Sequence, residues 1–320
     1  MPCGRFSTLV PMKIVFMGTP EFAVPVLQGL IDHYDVIGVV SQPDKLVGRH
    51  QELKATPIKE LALKYKIPVF QPVKIREDYQ KILDLNPDMI VTCAYGQIIP
   101  KAILDCPKLG CINVHASLLP KLRGGAPIHK AIIDGYDKTG ITIMYMDVKM
   151  DDGDIITQRE TKITDADNLE SLHDRLSIMG RDLLLDTLPS IENGTNPRIK
   201  QKEEEVTFAY NIKREEEHID FSKSSREVFN LVRGLFPVPC ANAILFENEM
   251  KILECEIYPK EYSHATFGEI VEIVKSGFVV ATKDGAVLIT KVKPFGKKAM
   301  DAASYVNGIG KDKIINQVFQ

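Results

Sequence analysis

The residues best suited to chemistry lie near the middle of the chain, where Asn113 and His115 stand two positions apart. They end a short apolar run, residues 111–114, that predicts a β-strand, and side chains two apart on a strand point to the same face of a sheet. Histidine can take up or release a proton near neutral pH, and an amide can donate a hydrogen bond. The pair would suit a catalytic site, and a structural histidine would give the same pattern.

The loop after this strand favours a binding site over a structural histidine. The segment Ser117-Leu-Leu-Pro120 is a compact turn, and Arg123-Gly124-Gly125 follows it closely. Glycine lets the backbone approach a bound molecule because it has no side chain. In an open α/β sheet, ligands bind outside the carboxyl ends of the strands, where this loop begins.

A second stretch, from Met146 to Asp154, is rich in carboxylates and also follows a predicted strand, residues 141–145. Its four aspartates lack the spacing and the terminal glutamate of an EF-hand calcium loop. Paired carboxylates would also suit a glycosidase, but nothing else in the sequence indicates sugar chemistry. We therefore expect a carboxylate that orients and charges a histidine, with an acidic surface turn as the alternative.

The predicted elements that would position these residues alternate between apolar strands and helices. This order is typical of an α/β fold with a mostly parallel sheet covered on both faces. Strands are predicted at residues 13–17, 36–40, 68–70, 89–93, 111–114 and 141–145, and a long amphipathic helix at 169–188. The single glycine after the first strand, Gly18, does not match the dinucleotide-binding fingerprint, so a nicotinamide enzyme is a poor candidate.

The sequence changes character towards the C-terminus. A charged segment is followed by a helix and several short strands separated by glycines, which is typical of a small β-barrel domain. We expect a catalytic domain at residues 12–197, a linker at 198–217 and a C-terminal domain at 218–320. Residues 1–11 lack a signal-peptide core and are predicted to be a disordered leader or cloning remnant outside the fold.

Composition limits the possible partners. The 320 residues are enough for two domains, and a net charge of −3 means that nucleic-acid binding would need a local basic patch. No apolar run approaches the roughly 20 residues that span a bilayer, so no membrane partner is expected. The six cysteines form no CxxC pair and no metal-ligand cluster is visible, which fits a metal-free protein of the reducing cytoplasm.

Several of these stretches together resemble one enzyme family. Asn113-x-His115, then Ser117-Leu-Leu-Pro120, and later Asp151-Asp-Gly153 resemble the ordered motifs of the folate-dependent formyltransferases. The resemblance covers nearly the whole chain from Met12 onward. Further segments that carry it are Phe16-Met-Gly-Thr-Pro20, Gln42-Pro-Asp44, Gly48-Arg49, Ala94-Tyr-Gly96, Gly125-Ala-Pro-Ile128 and Gly296-Lys-Lys298.

This resemblance implies a Rossmann-like formyltransferase domain followed by an OB-like β-barrel, with 10-formyltetrahydrofolate as the formyl donor and no metal. Asn113, His115 and Asp151 would be the catalytic residues. The first two would donate hydrogen bonds to a tetrahedral oxyanion, and Asp151 would relay the proton of the attacking amine. The residues that would contact the folate are Ala94, Tyr95, Gly96, Gln97, Ile98, Ser117, Leu118, Leu119, Pro120 and Asp147, the last within the segment 147–151.

The loop from Gln42 to Leu53 resembles the insertion of those family members that formylate methionine on initiator tRNA. In this loop Arg49 would be the main tRNA contact, supported by Lys45, because arginine can grip a phosphate and stack on a base. From residue 218 onward basic and acidic residues are nearly balanced, so tRNA binding there would need a cluster. The best candidates for it are Lys291, Lys293, Lys297 and Lys298. We expect a monomer.

Other functions remain open at this point. A sugar-nucleotide or glycinamide-ribonucleotide formyltransferase would use the same first domain, and a formyl-folate hydrolase would replace the amine with water. A nucleic-acid-binding barrel beside a degenerate first domain is a non-enzymatic alternative, against which the intact catalytic trio argues. Leu122 and Phe221 stand where the family often has tryptophan, and both are packing positions.

Overall fold

The computed structural model describes residues 11–47 and 51–320, without the side chain of Val47. The predicted leader, apart from Pro11, therefore lies outside the described residues. The chain divides into two compact units, and each is assembled from separate stretches of sequence. Unit 1 comprises Met1–Gly125, Gly140–Glu160 and Asp174–Phe208, and unit 2 comprises Ala126–Thr139, Thr161–His173 and Ala209–Gln320.

Unit 1 is built on a seven-stranded sheet. The strands, in chain order, are β1 (Lys13–Gly18), β2 (Asp35–Val40), β3 (Lys45–Val47), β4 (Glu52–Lys54), β5 (Val69–Phe70), β6 (Met89–Cys93), β7 (Cys111–His115), β8 (Lys138–Tyr145) and β9 (Ile155–Lys162). All except β3 and β4 join the sheet, in the order β5-β2-β1-β6-β7-β8-β9. Neighbours from β5 to β7 are parallel, whereas β7 and β8 are antiparallel. The nearly continuous burial along β1 and β6 is what a sheet covered on both faces requires.

Helices occupy most connections between these strands, and one more helix follows β9. They are α1 (Val24–His33), α2 (Pro57–Lys64), α3 (Gln80–Leu83), α4 (Lys101–Leu104), α5 (Pro127–Ile133) and α6 (Leu169–Glu192). Two prolines are placed where a helix tolerates them, since Pro57 starts α2 and Pro127 starts α5. Gly180 lets α6 approach the sheet, because a Cβ there would lie 2.9 Å from a methyl carbon of Val114 in β7.

The polar stretch after β2 is a hairpin and not an irregular loop. β3 and β4 pair in antiparallel fashion, with Lys45 opposite Lys54 and Leu46 opposite Leu53. Both leucine side chains face solvent, with 58% and 67% of their surface exposed.

The segment after α6 lies along unit 1 before it reaches unit 2. Isolated β-bridges join Ile199 to Ile155 and Phe208 to Arg123. Two short 3-10 helices, Glu203–Glu205 and Arg214–Glu217, account for the two acidic runs of this part of the sequence. The first part of this charged stretch is therefore ordered against the sheet unit.

Unit 2 is built on an antiparallel sheet, and it also contains α5 and the first residues of α6. The elements are α7 (Ser225–Leu235), β10 (Ala241–Leu245), β11 (Asn248–Tyr258), β12 (Ile270–Val274), β13 (Gly277–Thr282), β14 (Gly285–Pro294), β15 (Met300–Asp301), α8 (Ala302–Ile309) and α9 (Lys311–Ile314). The strand order is β10-β11-β14-β13-β12, and β15 pairs with β14. The last residues close the ends of this sheet, since Gln320 exchanges hydrogen bonds with Ile244 of β10 and Asn316 donates to Ile270 of β12. The predicted α/β sheet and C-terminal barrel are confirmed.

Candidate active site

The predicted reactive residues come together in unit 1, although they reach the site by different routes. Asn113 and His115 lie at the carboxyl end of β7. β8 is antiparallel to β7, so that its last residue, Tyr145, lies beside Ile112 at the opposite end of that strand. The loop between β8 and β9 nevertheless brings Asp151 next to His115.

His115 has both ring nitrogens directed at protein groups. The side chain is 6% exposed, and its Nε2 lies 3.1 Å from the carbonyl oxygen of Leu122. A carbonyl oxygen only accepts hydrogen bonds, so Nε2 carries a proton. Nδ1 lies 3.7 Å from Oδ2 of Asp151. This separation exceeds a hydrogen bond, as is common for catalytic pairs before a substrate binds.

Asp151 is held in an uncommon backbone conformation. Its φ is +51°, and that of Leu122, whose carbonyl contacts His115, is +61°. Residues with side chains enter this left-handed region rarely and stay there only where the surroundings hold them. One such contact is the backbone N–H of Gly124, which donates to Oδ2 of Asp151 at 2.8 Å.

Asn113 is oriented by a threonine on the neighbouring strand. The hydroxyl of Thr92, which is buried in β6, donates to Oδ1 of Asn113 at 2.8 Å. This bond occupies the amide oxygen and leaves the amide nitrogen of the half-buried Asn113 to donate. The side chain is therefore set up to bind an oxygen atom.

The turn from Ser117 to Pro120 is fastened to β8 and β9. The hydroxyl of Thr142 donates to the carbonyl of Ser117 at 2.7 Å, and Gln158 donates to the carbonyl of Leu119 at 2.8 Å. Ser117 and Leu119 are buried, so only Leu118 and Pro120 of this turn are partly exposed.

The segment from Ala94 to Ile98 alternates between exposed and inward-facing residues. Ala94, Gly96 and Ile98 are exposed. Burial raises the pKa of Tyr95 to about 12, so its phenol stays neutral. Gln97 is fixed because its Oε1 accepts from the backbone N–H of Ile75 at 2.9 Å.

A second exposed segment, Asp147–Met150, lies within the loop between β8 and β9. Oδ1 of Asp147 accepts from the backbone N–H of Val148 at 2.6 Å. Within the described part of the chain, the peptide groups of residues 94–98 and 147–150 enter no backbone-to-backbone hydrogen bond. The carbonyl of Tyr95 accepts from the side chains of Thr19 and Gln42, and the remaining peptide groups can bind the polar edge of a flat heterocycle.

Three residues to which the sequence analysis assigned no side-chain role contribute to this geometry. Thr92 orients Asn113, and Arg123 and Gln201 connect the two loops that carry Leu122 and Asp151. A hydroxyl within the apolar strand Met-Ile-Val-Thr-Cys was a signal for Thr92. Gln201 had no such signal, since it lies in a charged stretch that is typical of a linker.

The candidate tRNA contacts of the hairpin are partly described. Lys45 is exposed at the start of β3, opposite Lys54, which adds a second cation. Arg49 lies outside the described residues.

The candidate lysines of unit 2 lie on and after β14. Three of them are exposed, namely Lys293, Lys297 and Lys298. Lys251 of β11, which the sequence did not indicate as a candidate, lies opposite Lys293 in the antiparallel pair of β11 and β14. Lys291 is partly neutralised by Glu254, 3.2 Å away.

Among the helices of the described ranges, none is long and apolar enough to cross a membrane. Within residues 11–47 and 51–320, no three side chains of histidine, cysteine, aspartate or glutamate are grouped so as to hold a metal ion.

Two family models match the chain, the formyl transferase family at residues 12–188 and the formyl transferase C-terminal domain at residues 211–310. A protein of Bacillus thuringiensis subsp. konkukian (strain 97-27), named methionyl-tRNA formyltransferase, is 55% identical over 301 residues, which cover 93% of this chain and 96% of that protein. A protein of the same name from Geobacillus sp. (strain WCH70) is 52% identical over 303 residues, with coverage of 93% and 95%.

The fold is shared with a solved enzyme. The crystal structure of an N-formyltransferase from Helicobacter canadensis, in complex with folinic acid and dTDP-3-aminofucose, matches with a TM-score of 0.68 at 20% identity. The match covers 89% of this chain and 100% of that one, and at this identity it concerns the fold alone. With both domain models matched in order and relatives more than half identical along almost its full length, the chain belongs to the formyl transferase family.

Proposed function

We propose that this chain transfers the formyl group of 10-formyltetrahydrofolate to the α-amino group of methionine on initiator tRNA, for translation initiation. The names of the relatives that are 52% and 55% identical support this acceptor. The observation that carries the chemistry is the placement of His115 beside Asp151, at 3.7 Å, with Asn113 on the same strand.

Asn113 stabilises the charge that develops in the reaction. When the amine attacks the formyl carbon, the formyl oxygen becomes negative, and the amide nitrogen of Asn113 donates a hydrogen bond to it. A preorganised neutral donor of this kind accelerates acyl transfer by stabilising the oxyanion. The bond from Thr92 supports this role, because it holds the amide oxygen away from the reacting centre.

His115 and Asp151 handle the proton. The amine loses a proton as it attacks, and the folate nitrogen must gain one as its bond to the formyl carbon breaks. Asp151 accepts the first proton, directly or through water, and passes it on. His115 has Nε2 fixed on Leu122, while Nδ1 lies 3.7 Å from the carboxylate, too far for a hydrogen bond to it. When the imidazole is protonated, Nδ1 donates a charged hydrogen bond to the formyl oxygen.

The folate is held mainly by peptide groups of the segments 94–98 and 147–151, apart from the carbonyls of Tyr95 and Asp151, which accept from side chains of the protein. Their available N–H and C=O groups match the donors and acceptors on one edge of a pterin ring. The turn from Ser117 to Pro120 forms the neighbouring wall. The donor supplies the activated formyl group, and no metal takes part.

The tRNA is bound by cations of both units. In unit 1, Arg49, which lies outside the described residues, is the main contact and Lys45 at the start of β3 supports it. In unit 2, phosphates are bound by Lys291, Lys293, Lys297 and Lys298. Salt-dependent phosphate contacts of this kind supply most of the affinity for nucleic acid.

The protein works as a monomer in the cytoplasm. Its three catalytic residues come from one chain, so a second copy is not needed to complete the site. The cysteines of the described residues are free thiols, as is usual in a reducing compartment.

The test is formylation of charged initiator tRNA with 10-formyltetrahydrofolate by the natural sequence and by the Asp151→Ala variant. We expect formyl-methionyl-tRNA from the former and a loss of kcat of roughly 10²-fold or more in the latter, the range for general acid–base groups. Asp84→Ala, which removes an exposed carboxylate of unit 1, is the control and should keep full activity.

Two results would overturn the proposal. Near-normal turnover of Asp151→Ala would remove Asp151 from the chemistry. Formylation of a dTDP-linked amino sugar, without formylation of methionyl-tRNA, would identify a different acceptor.

A further inference from the structure

We propose that Gln201 is a positioning residue for this reaction, holding Asp151 and the loop at Leu122 in the arrangement that catalysis needs. The inference depends on the catalytic roles proposed above for Asp151 and His115. Gln201 lies between α6 and the first of the two short 3-10 helices, more than 80 positions after His115 in the sequence, and is half-buried in unit 1.

The side chain of Gln201 uses every hydrogen-bonding group it has. Its amide nitrogen donates to the backbone carbonyls of Asp151, at 2.8 Å, and Gly153, at 2.9 Å. Its amide oxygen accepts from Nε and Nη2 of Arg123, at 3.0 and 2.9 Å. An amide group can do no more than donate twice and accept twice, so Gln201 is saturated by these two loops.

The arginine at the other end of this connection is itself buried and fixed. Arg123 has a side chain that is 5% exposed, and its Nη2 lies 2.9 Å from Asp152 and 3.2 Å from Glu203. A buried guanidinium with several charged and polar partners has little freedom to move. Gln201 therefore ties the loop of Asp151 to a rigid group.

Both loops carry contacts to the catalytic pair. The residues on either side of Arg123 are Leu122, whose carbonyl accepts from Nε2 of His115, and Gly124, whose N–H donates to Asp151. Since Gln201 joins Arg123 to the carbonyl of Asp151, it connects the groups that orient the imidazole with those that orient the carboxylate.

The backbone around Gln201 is anchored on both sides. Ile199 exchanges hydrogen bonds with Ile155, and Thr207 accepts from the N–H groups of Arg123 and, through its hydroxyl, Leu122. Because these bonds fix the segment on either side of residue 201, the position of its side chain is determined.

The bonds to Asp151 also oppose a local strain. With a φ of +51°, Asp151 would relax towards a more common conformation if its carbonyl lost its donor. Such a relaxation rotates the peptide groups next to it and displaces the carboxylate. Misplacement of a reacting group by about 1 Å can lower the rate by as much as 10²-fold.

The experiment compares Gln201→Met and Gln201→Glu with the natural sequence in the formylation assay. Methionine keeps the size and removes all four hydrogen bonds. Glutamate keeps the size and the acceptors for Arg123, but places an oxygen against the two carbonyls. We expect kcat to fall about tenfold or more in both variants, with the KM values for folate and tRNA changed less than about twofold.

The control is Gln28→Met. Gln28 is another half-buried glutamine of unit 1, and its amide nitrogen donates to Asp32 and to the phenol oxygen of Tyr65. It lies on α1, away from both catalytic loops, so this substitution should leave kcat unchanged. Thermal unfolding of each variant shows how much folded enzyme is assayed.

A double variant separates positioning from general stability. If Gln201 acts through Asp151, adding Gln201→Met to Asp151→Ala should reduce kcat little further, because the group that it positions is gone. A merely structural role would give the same fold-loss in both backgrounds.

The inference fails if Gln201→Met and Gln201→Glu keep kcat while Asp151→Ala loses it, or if the losses are multiplicative in the double variant. Full turnover of Asp151→Ala would instead reject the catalytic assignment itself. If Gln201→Met does not fold, the same outcomes apply to Gln201→Glu, which retains a polar group at this half-buried position.

Discussion

Two hydrogen bonds from neighbouring groups determine which atoms of His115 and Asn113 are presented to a reactant. The carbonyl of Leu122 fixes the proton of His115 on Nε2, and the hydroxyl of Thr92 occupies the amide oxygen of Asn113. Without these partners, the imidazole could adopt the other tautomer and the amide could rotate. Selecting one arrangement before the substrate binds is what makes a donor effective.

Replacing Thr92 by valine should therefore slow the reaction. Valine has the same shape but cannot donate to Asn113, and a hydrogen bond of about 1 kcal/mol corresponds to roughly a fivefold lower kcat. Thr92→Ser, which keeps the hydroxyl, should restore most of the rate. Steady-state kinetics with saturating folate and tRNA measure the effect.

A buried threonine elsewhere provides the control. Thr187 lies in α6 and its hydroxyl donates to the carbonyl of Leu183, so Thr187→Val removes a comparable bond away from the catalytic trio. Unchanged kcat in Thr92→Val, or an equal loss in Thr187→Val, would contradict a specific role for Thr92.

The parts of the site that follow from local sequence were those most open to prediction. The spacing of Asn113 and His115 on one strand indicated a shared face, and the two residues do lie at the carboxyl end of β7. Thr92 and Gln201 act on residues 21 and 50 positions away, through bonds that exist only in the folded chain. No local pattern records such contacts.

Among the elements, the connection between β8 and β9 has the greatest effect on the site. The carbonyl of Asp154 accepts from Tyr145 at 2.9 Å, which closes the loop at its base. Gly153 stands within this closure, and a Cβ built there would lie 1.9 Å from the carbonyl oxygen of Tyr145. The loop can therefore keep its path only with glycine at this position.

Gly153→Ala should consequently displace Asp151 and abolish most activity. The clash involves backbone on both sides, so relief requires movement of the loop and not of a flexible side chain. We expect kcat to fall by about 10²-fold and the melting temperature to fall as well. The control is Gly308→Ala in α8, where an added Cβ meets no atom within 4 Å. Full activity of Gly153→Ala would show that the loop tolerates another path.

Element order was predictable, whereas the direction of β8 was not. The alternation of strands and helices indicated a mostly parallel sheet, and the pairing from β5 to β7 confirms it. β8 follows α5 yet runs antiparallel to β7. The chain between the two strands does not return to the end of the sheet at which β7 begins, so β8 runs back in the opposite direction. The hairpin of β3 and β4 was expected as a polar loop, since its strands are only three residues long.

At the scale of the whole molecule, burial of charge-bearing groups links stability to pH. Unit 2 encloses a core that includes Phe221, Phe278 and Phe319, and the last residues of the chain complete its barrel. His129 on α5 belongs to the same unit. The short strands separated by glycines predicted the barrel, but the partial burial of this histidine depends on packing that the sequence alone does not specify.

The stability of the protein should fall as the pH drops through the usual titration range of histidine, and His129 should contribute to that fall. Burial lowers the pKa of His129 from 6.5, and the nearby charges of His173 and Lys130 act in the same direction. The carbonyl of Val238, which accepts a hydrogen bond from the imidazole, opposes the change only in part. Well above pH 6.5 the side chain is neutral in the folded and unfolded chains alike. Below pH 6.5 the unfolded chain takes up the proton first, so the contribution of His129 is lost progressively as the pH falls through the folded pKa.

Melting temperatures of the natural sequence should therefore decrease between about pH 7.5 and about pH 5.5, and those of the His129→Gln variant should decrease less. The control is His264→Gln, at an exposed histidine of unit 2. Its melting temperature should fall over this pH interval by as much as that of the natural sequence. If His129→Gln loses as much stability over this interval as the natural sequence, another group is responsible for the acid sensitivity.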